Sequence, residues 1–134
     1  MKNTDLHTHS HYSDGMASPK ELVKLARKRG IKNLAVTDHN SVAGVKEAIS
    51  AGKRHGVDVI PAVEIGSRQG EVLGYFIDLE NKEFIKGLRD NRKKSMAGIK
   101  DYCRKLKKAG YDISYNELRR RFPESENMTV MHAL

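Results

Sequence analysis

Leu34-Ala35-Val36-Thr37-Asp38-His39-Asn40 reads as a short apolar strand running directly into an acid and an imidazole. A continuous apolar run, unlike an alternating one, marks a strand buried on both faces, as in a parallel sheet. Upstream, Ser18-Pro19-Lys20-Glu21 supplies an N-cap serine, a proline at the first helical position and the glutamate of a capping box. Leu22, Val23, Leu25 and Ala26 form the apolar face of the helix that follows, Lys24, Arg27, Lys28 and Arg29 its wet face, and Gly30 ends it. Downstream, Ser41 is placed to cap a second helix with Val42, Val45, Ala48 and Ile49 at helical spacing, stopping near Gly52 or His55-Gly56. Val57-Asp58-Val59-Ile60-Pro61-Ala62-Val63 then forms another strand, which runs into Glu64. Strand, helix, strand, helix, strand is the order of right-handed βαβ units, so the fold class is α/β with a parallel sheet.

The strand that opens this series carries the densest chemistry, Asp5-Leu6-His7-Thr8-His9-Ser10-His11-Tyr12-Ser13-Asp14-Gly15. Alternation along an extended strand puts His7 and His9 on one face, where they can grip one ion, with Asp5, His11 and Asp14 nearby. Each of these strands ends in acid or imidazole groups. The C-terminal ends of parallel strands form the functional rim of such a sheet or barrel, so His7, His9, Asp38, His39 and Glu64 are expected at one mouth. Imidazole and carboxylate donors suit zinc, manganese or iron, and a single cysteine argues against a structural zinc cluster. His55 reads as a cation at a helix end and not as a ligand.

Beyond the third strand the rhythm breaks. Glu71 to Ile77 reads as a further strand, and from Asn81 the chain turns helical and polar, with a narrow stripe of Phe84, Ile85, Leu88, Met96, Ile99, Tyr102, Cys103 and Leu106 that stops at Gly110. Gly87 and Gly98 weaken that helix. Ser114-Tyr115-Asn116-Glu117 again reads as a capping box, opening a short helix that ends before Pro123. The chain has 134 residues and a formal charge of +8, which is unevenly spread: residues 1–79 hold 11 Lys/Arg against 9 Asp/Glu, residues 80–134 hold 14 against 8. A basic second half favours phosphate-rich partners, although Lys-rich helices are also commonly plain solvated faces. No apolar run approaches the roughly 20 residues of a membrane span and no secretory signal opens the chain, so a soluble cytoplasmic protein is expected. Cys103, the only cysteine, reads as a packed thiol.

The motifs resemble those of the PHP (polymerase and histidinol phosphatase) superfamily of metal-dependent phosphoesterases. Asp5-Leu6-His7-Thr8-His9-Ser10 with Ser13-Asp14-Gly15 looks like its first motif, Val36-Thr37-Asp38-His39-Asn40 its second and Pro61-Ala62-Val63-Glu64-Ile65 its third. Leu73-Gly74-Tyr75-Phe76-Ile77-Asp78 resembles the next strand in stand-alone members that hydrolyse nucleotide phosphates. The resemblance implies part of a (β/α)7-type barrel over residues 1–80, a basic helical insertion over 81–127 that overhangs the site, and a return to the barrel over 128–134. It also implies two or three divalent transition metals (Mn, Zn or Fe). His7, His9 and Glu64 would hold one ion, with Glu64 bridging to a second, and Asp14 and His39 would bind another. Glu71 stands where many relatives carry a metal-binding histidine, and His132 near where they carry a functional one. Asp38 is expected to orient ligands at the catalytic centre, Asp5 to fix a histidine tautomer, and His11 to touch substrate phosphate.

The implied activity is hydrolysis of nucleotide phosphates or short oligonucleotide ends by a metal-bound hydroxide, with Arg89, Arg92, Lys93, Arg119, Arg120 and Arg121 of the insertion recruiting phosphate. Alternatives are a histidinol-phosphate or other small-molecule phosphatase, and a non-catalytic nucleic-acid-binding or polymerase-associated module. Later family elements, a histidine-proline segment and a terminal Asp-x-His, are absent from the sequence. The chain is therefore expected to be the N-terminal part of a longer product, and in isolation to associate or to be weakly active.

Overall fold

The computed structural model describes residues 3–67, 69–129 and 132. Strand β1 (Thr4–Thr8) leads through a loop to helix α1 (Pro19–Lys28), then β2 (Asn33–Val36), α2 (Val45–His55), β3 (Asp58–Ser67), β4 (Gly70–Tyr75), α3 (Lys82–Lys108) and α4 (Tyr115–Arg121). The sheet order is β1-β2-β3-β4, with β1, β2 and β3 parallel and β4 antiparallel to β3. β2 lies between two neighbours, and its Leu34, Ala35 and Val36 are buried, which is why it reads as an unbroken apolar run. β1 is an edge strand whose Thr4 to His7 are exposed. Among the described residues no helix is long and apolar enough to cross a membrane.

Both crossover helices pack on the sheet through one apolar cluster of Val23 and Ala26 from α1, Leu34 and Val36 from β2, and Ala48, Ala51 and Val57 at α2 and its exit. The Ser18 hydroxyl accepts the Glu21 N–H while the Glu21 carboxylate accepts the Ser18 N–H at 2.8 Å, so the capping box forms as the sequence reads. Leu25 is a correction: it is 42 % exposed, because the buried stripe of α1 runs through Val23 and Ala26. α2 is a second correction. It starts at Val45 behind Gly44 with no side-chain cap, since the Ser41 hydroxyl accepts the Ala43 N–H and donates to Glu126 at 2.6 Å.

The third correction is the length of β3, which does not end at Glu64. Past Pro61, where its pairing with β2 stops, it continues against β4 from Ala62↔Tyr75 to Ser67↔Gly70. Glu64 therefore sits inside a strand and pairs with Leu73, while His39 forms a parallel bridge to it from the other side.

α3 runs unbroken through Gly87 and Gly98. It packs with α4 around a second cluster, Ile99, Cys103, Leu118 and Met128, to which Tyr102 and Phe122 add partly buried rings. At α4 the Ser114 hydroxyl accepts the Glu117 N–H, but the Glu117 carboxylate turns to Arg120, so only half of the expected capping box forms. The helical module returns to the sheet through residues 122–129. The Ser125 hydroxyl donates to the Ser13 carbonyl at 2.7 Å, the Glu126 N–H to the Tyr12 carbonyl at 2.8 Å, and the Thr129 hydroxyl to Asp14 at 3.1 Å. Of the segment expected to re-enter a barrel, residues 130, 131, 133 and 134 lie outside those described.

Candidate metal centre

The site begins where β1 ends. Asp38, two residues past the end of β2, is 1 % exposed and accepts three hydrogen bonds from the opposite loop: the Ser10 N–H at 2.7 Å, the Ser10 hydroxyl at 2.6 Å and the Ser13 hydroxyl at 2.7 Å. These tie the loop into a tight turn, closed by the Gly15 N–H donating to the Ser10 carbonyl at 3.0 Å. The turn admits no side chain at its end, for a Cβ on Gly15 would stand 2.0 Å from the His9 carbonyl oxygen. Its consequence is that His9 and Asp14, either side of the turn, face one another at 3.3 Å.

Glu64 is the hub. Its Oε2 lies 3.2 Å from His7 Nε2, 3.2 Å from His9 Nε2 and 3.4 Å from His39 Nδ1, three imidazoles from two chain segments. Asp14 spans His9 and His39, each at 3.3 Å, and Glu71 Oε1 reaches His39 Nδ1 at 3.3 Å. The imidazole rings are close neighbours, with centroids 5.1 Å apart for His7 and His9 and 4.6 Å for His9 and His39. Three triads of donor atoms result, His7-His9-Glu64, His9-Asp14-His39 and His39-Glu64-Glu71, each within 4.8 Å.

Electrostatics test whether these groups fit a cation. Among the described residues no lysine or arginine pairs with Asp14, Glu64 or Glu71; the ionisable groups that could offer them positive charge are imidazoles. A buried carboxylate such as Glu64, 5 % exposed, needs compensating positive charge. Three adjacent imidazoles supply it poorly, because protonating one disfavours protonating the next. Burial lowers the His9 pKa, helped by the neighbouring His39 and opposed by Asp14. Burial also works against a charged His39, but its hydrogen bond to Asp14 and the charges of Asp14, Glu64 and Glu71 outweigh that and raise its pKa. For Asp14, burial is overcome by the hydrogen bond and charge of His39, which hold its carboxyl well below the usual carboxylate range. The donor set, rich in anionic oxygen and neutral nitrogen, fits divalent metal ions.

The remaining candidates fall into distinct places. Glu71, 56 % exposed at its side chain, joins the cluster as the residue opposite Gly66 on β4. Asp5 is a correction, since its carboxylate accepts the backbone N–H of His7 at 3.4 Å and not a ring proton. His132 lies outside the triads, its Nδ1 accepting the Thr129 N–H at 3.0 Å and its ring 4.7 Å from Phe122. With His11, Asp14 and Arg121 it lines a cavity of about 250 Å³. His11 stacks edge-on against Tyr12, and its Nε2 is buried without a partner among the described residues.

Of the module's cations, Arg92 is paired with Glu126, Arg120 with Glu117, and Arg119 donates to the Ser125 carbonyl at 2.6 Å. Arg89 is exposed, Lys93 stands 3.5 Å from Asp90, and Arg121 lies over the Phe122 ring. Sequence reasoning gave no role to Ser10, Ser13 or Asn40. Asn40 adopts φ 50°, and its side-chain oxygen accepts the Gly66 N–H at 3.2 Å and the Asn91 amide at 2.9 Å. Small polar residues within a ligand motif were the available signal for all three.

Comparison with known proteins gives a consistent set of relatives. The sequence profile of the PHP domain family matches residues 5–112. A 5'-3' exoribonuclease of Haemophilus influenzae is 37 % identical over 122 residues, 86 % of this chain and 43 % of the relative. A 3',5'-nucleoside bisphosphate phosphatase of Chromobacterium violaceum is 32 % identical over 114 residues, 82 % of this chain and 40 % of the relative. An amidohydrolase of Chromobacterium violaceum, solved with bound sulfate and no metal, superposes with a TM-score of 0.89 at 29 % identity over 97 % of this chain and 47 % of its own. The chain thus spans less than half the length of these relatives, and its mixed α/β fold matches part of a PHP barrel.

Proposed function

This chain belongs to the PHP domain family, and from that premise we propose that it carries the metal centre of a metal-dependent phosphoesterase acting on nucleotide phosphates or short oligonucleotide ends. The observation that carries the reading is Glu64 Oε2 shared by His7, His9 and His39, with no lysine or arginine paired with it among the described residues. The names of the exoribonuclease and of the bisphosphate phosphatase support nucleotide esters as the substrate class.

His7, His9 and Glu64 would hold one divalent ion, and Asp14, His39 and Glu71 would extend the set to a second or third, with manganese, zinc and iron as candidates. Divalent ions held by these residues would supply charge to neutralise phosphoryl oxygens and to lower the pKa of water toward neutrality. The chain's own groups do the rest. Asp38 holds Ser10 and Ser13 and so fixes the loop that presents His9 and Asp14. His11, with its unpartnered Nε2, and Arg121 line the cavity next to Asp14. There Arg121 would bind a phosphoryl oxygen and His11 would hold or deliver a proton to the ester. Arg89 and Lys93, on the outer face of α3, are the remaining candidates for drawing in phosphate-rich substrate.

The test is phosphate release from a panel of nucleotides, a short oligonucleotide, histidinol phosphate and a sugar phosphate, on metal-loaded protein. His9→Ala is expected to abolish release and His55→Ala to leave it unchanged. Equal rates for the two variants, or turnover of histidinol phosphate alone, would overturn the reading.

A further inference from the structure

Helix α3 carries eleven Lys/Arg against three Asp/Glu, so an excess equal to the chain's whole formal charge of +8 sits on this one element. The cations are not spread evenly around it. Lys86, Arg89, Lys93, Lys100, Arg104 and Lys107 follow one another at intervals of three, four or seven residues, which aligns them in a single stripe about 30 Å long. All six are exposed. Glu83, Asp90 and Asp101 lie about a quarter of a turn off the stripe, from where Asp90 reaches Lys93 at 3.5 Å and Asp101 reaches Arg104 at 3.2 Å. Lys86, Arg89, Lys100 and Lys107 have no carboxylate partner among the described residues. Like charges three or four residues apart destabilise a helix, and a helix that needs only solubility intersperses both signs. Four such like-charged pairs run along this stripe, from Lys86–Arg89 to Arg104–Lys107.

The stripe is turned away from the metal cluster. Ser95 and Tyr102, about half a turn from it, line the space shared with His39 and Glu71. Beside the stripe, against α4, run two grooves of about 470 and 410 Å³, the first lined by Arg89, Lys93 and Lys100 and the second by Lys100, Arg104 and Lys107. Both contain Tyr115, a partly exposed ring with the Lys100 ammonium 4.9 Å from its centroid. Arg89 also lines a smaller groove of about 190 Å³ with Asn40, the residue after His39. The N-terminal half of the stripe therefore opens toward the cluster, while its length runs along the far side of the helix.

We infer that this stripe is a track for single-stranded nucleic acid, holding the phosphates of a strand whose end lies at the metal centre and whose continuation passes Asn40 and Arg89. The inference rests on the phosphoesterase reading and deepens it, from the ester that is cut to the length of chain that carries the ester. A regular row of cations beside grooves that share an aromatic ring suits a regular polyanion bearing flat bases. A bilayer suits it less, since the apolar side of α3 is occupied by Ile99, Cys103 and their partners in and around α4.

The experiment measures binding of a fluorescent uridine dinucleotide and of an oligouridylate of about 12 nucleotides, within the roughly 4–16 nucleotide footprint of single-strand sites. The protein is metal-free so that neither is cut, salt is varied from about 50 to about 200 mM, and phosphate release by the metal-loaded protein is followed in parallel. Wild type should bind the oligomer at least about tenfold tighter than the dinucleotide at low salt. Lys100→Gln/Arg104→Gln/Lys107→Gln should erase that preference and make the slope of log affinity against log salt shallower by about 2, at about 0.7 per lost contact. Lys24→Gln/Arg27→Gln/Lys28→Gln on α1, which removes the same charge, should match wild type. Thermal melts should show no loss in the stripe variant, since like-charged neighbours are removed; Lys107→Gln alone, with a slope shallower by about 0.7, repeats the test if the triple variant unfolds. An equal loss in both triple variants, or binding of polyglutamate or of anionic vesicles as tight as that of the oligomer, would overturn the inference. Phosphate release without a length preference would overturn it alone. A length preference lost in the stripe variant, with no phosphate release, would support the stripe as a nucleic-acid surface and overturn the phosphoesterase reading; neither preference nor release would overturn both.

Discussion

The loop from His9 to Gly15 and the helical module from Lys82 to Arg121 flank the same cluster, but they are held in different ways. In the loop, Ser10 and Ser13 are fully buried and converge on the buried carboxylate of Asp38. The module packs on its own apolar cluster and keeps most of its cations in solvent, where Lys93, Arg104, Lys105 and Arg120 are each more than 70 % exposed. Its links to the loop are a few hydrogen bonds from Ser125, Glu126 and Thr129. Hydrogen bonds to a buried charge are worth roughly twice neutral ones, and exposed ion pairs little. The loop is therefore the part whose geometry cannot give, and the module the part that can be retuned around it.

The contrast is broken most forcefully at Asp38. Asp38→Ala removes the shared buried acceptor of one N–H and two hydroxyls, and should cost about 3 kcal/mol or more in urea unfolding. It should also loosen the metal ligands on either side of the turn. A loss below about 1 kcal/mol would mean that the loop is held by something other than Asp38.

A second effect comes from protons competing with metal. His7, His9 and His39 bind metal only when neutral. Because Asp14, Glu64 and Glu71 raise the His39 pKa above 6.5, its proton still has to be displaced above that pH. Metal affinity should thus climb by at least about tenfold between about pH 6 and pH 8, with proton release on binding. In the metal-free chain the signs differ by group. Asp14, with its pKa lowered from 3.8, contributes stability above that value that is lost as the pH falls through the folded pKa. His39 contributes below 6.5, and that contribution is lost as the pH rises through its folded value. Calorimetric titrations at several pH values check this; a flat affinity would remove imidazole from the ligand set.

The links between the regions should be weaker. Ser125→Ala, which removes the donor to the Ser13 carbonyl, should cost about 1 kcal/mol and leave metal content unchanged. The smallest effect belongs to Arg120, exposed and paired with Glu117: Arg120→Ala should shift stability by less than about 0.5 kcal/mol. If Arg120→Ala proves as costly as Asp38→Ala, the distinction between the two regions fails.

What was legible in the sequence follows the same division. The α1 capping box and the buried run of β2 are local patterns, and both form as read. The meeting of His7, His9, His39 and Glu64 was legible from strand order, because parallel strands deliver their ends to one rim. Two features were not legible because distant partners decide them. β3 runs past Glu64 because β4 folds back on it. Ser41 does not cap α2 because its hydroxyl serves Ala43 and Glu126, the latter 85 residues away.

The most direct test of the account is the number of metal ions bound per chain by wild type and by Glu64→Gln, counted by elemental analysis after loading with manganese or zinc and desalting. Glu64→Gln keeps the shape of the side chain and removes the charge that faces all three imidazoles. The account predicts two or more ions in wild type, at least one fewer in Glu64→Gln, and no change in His55→Ala. A Glu64→Gln protein with the wild-type complement would contradict it, and would reduce the cluster to a set of carboxylate–imidazole contacts.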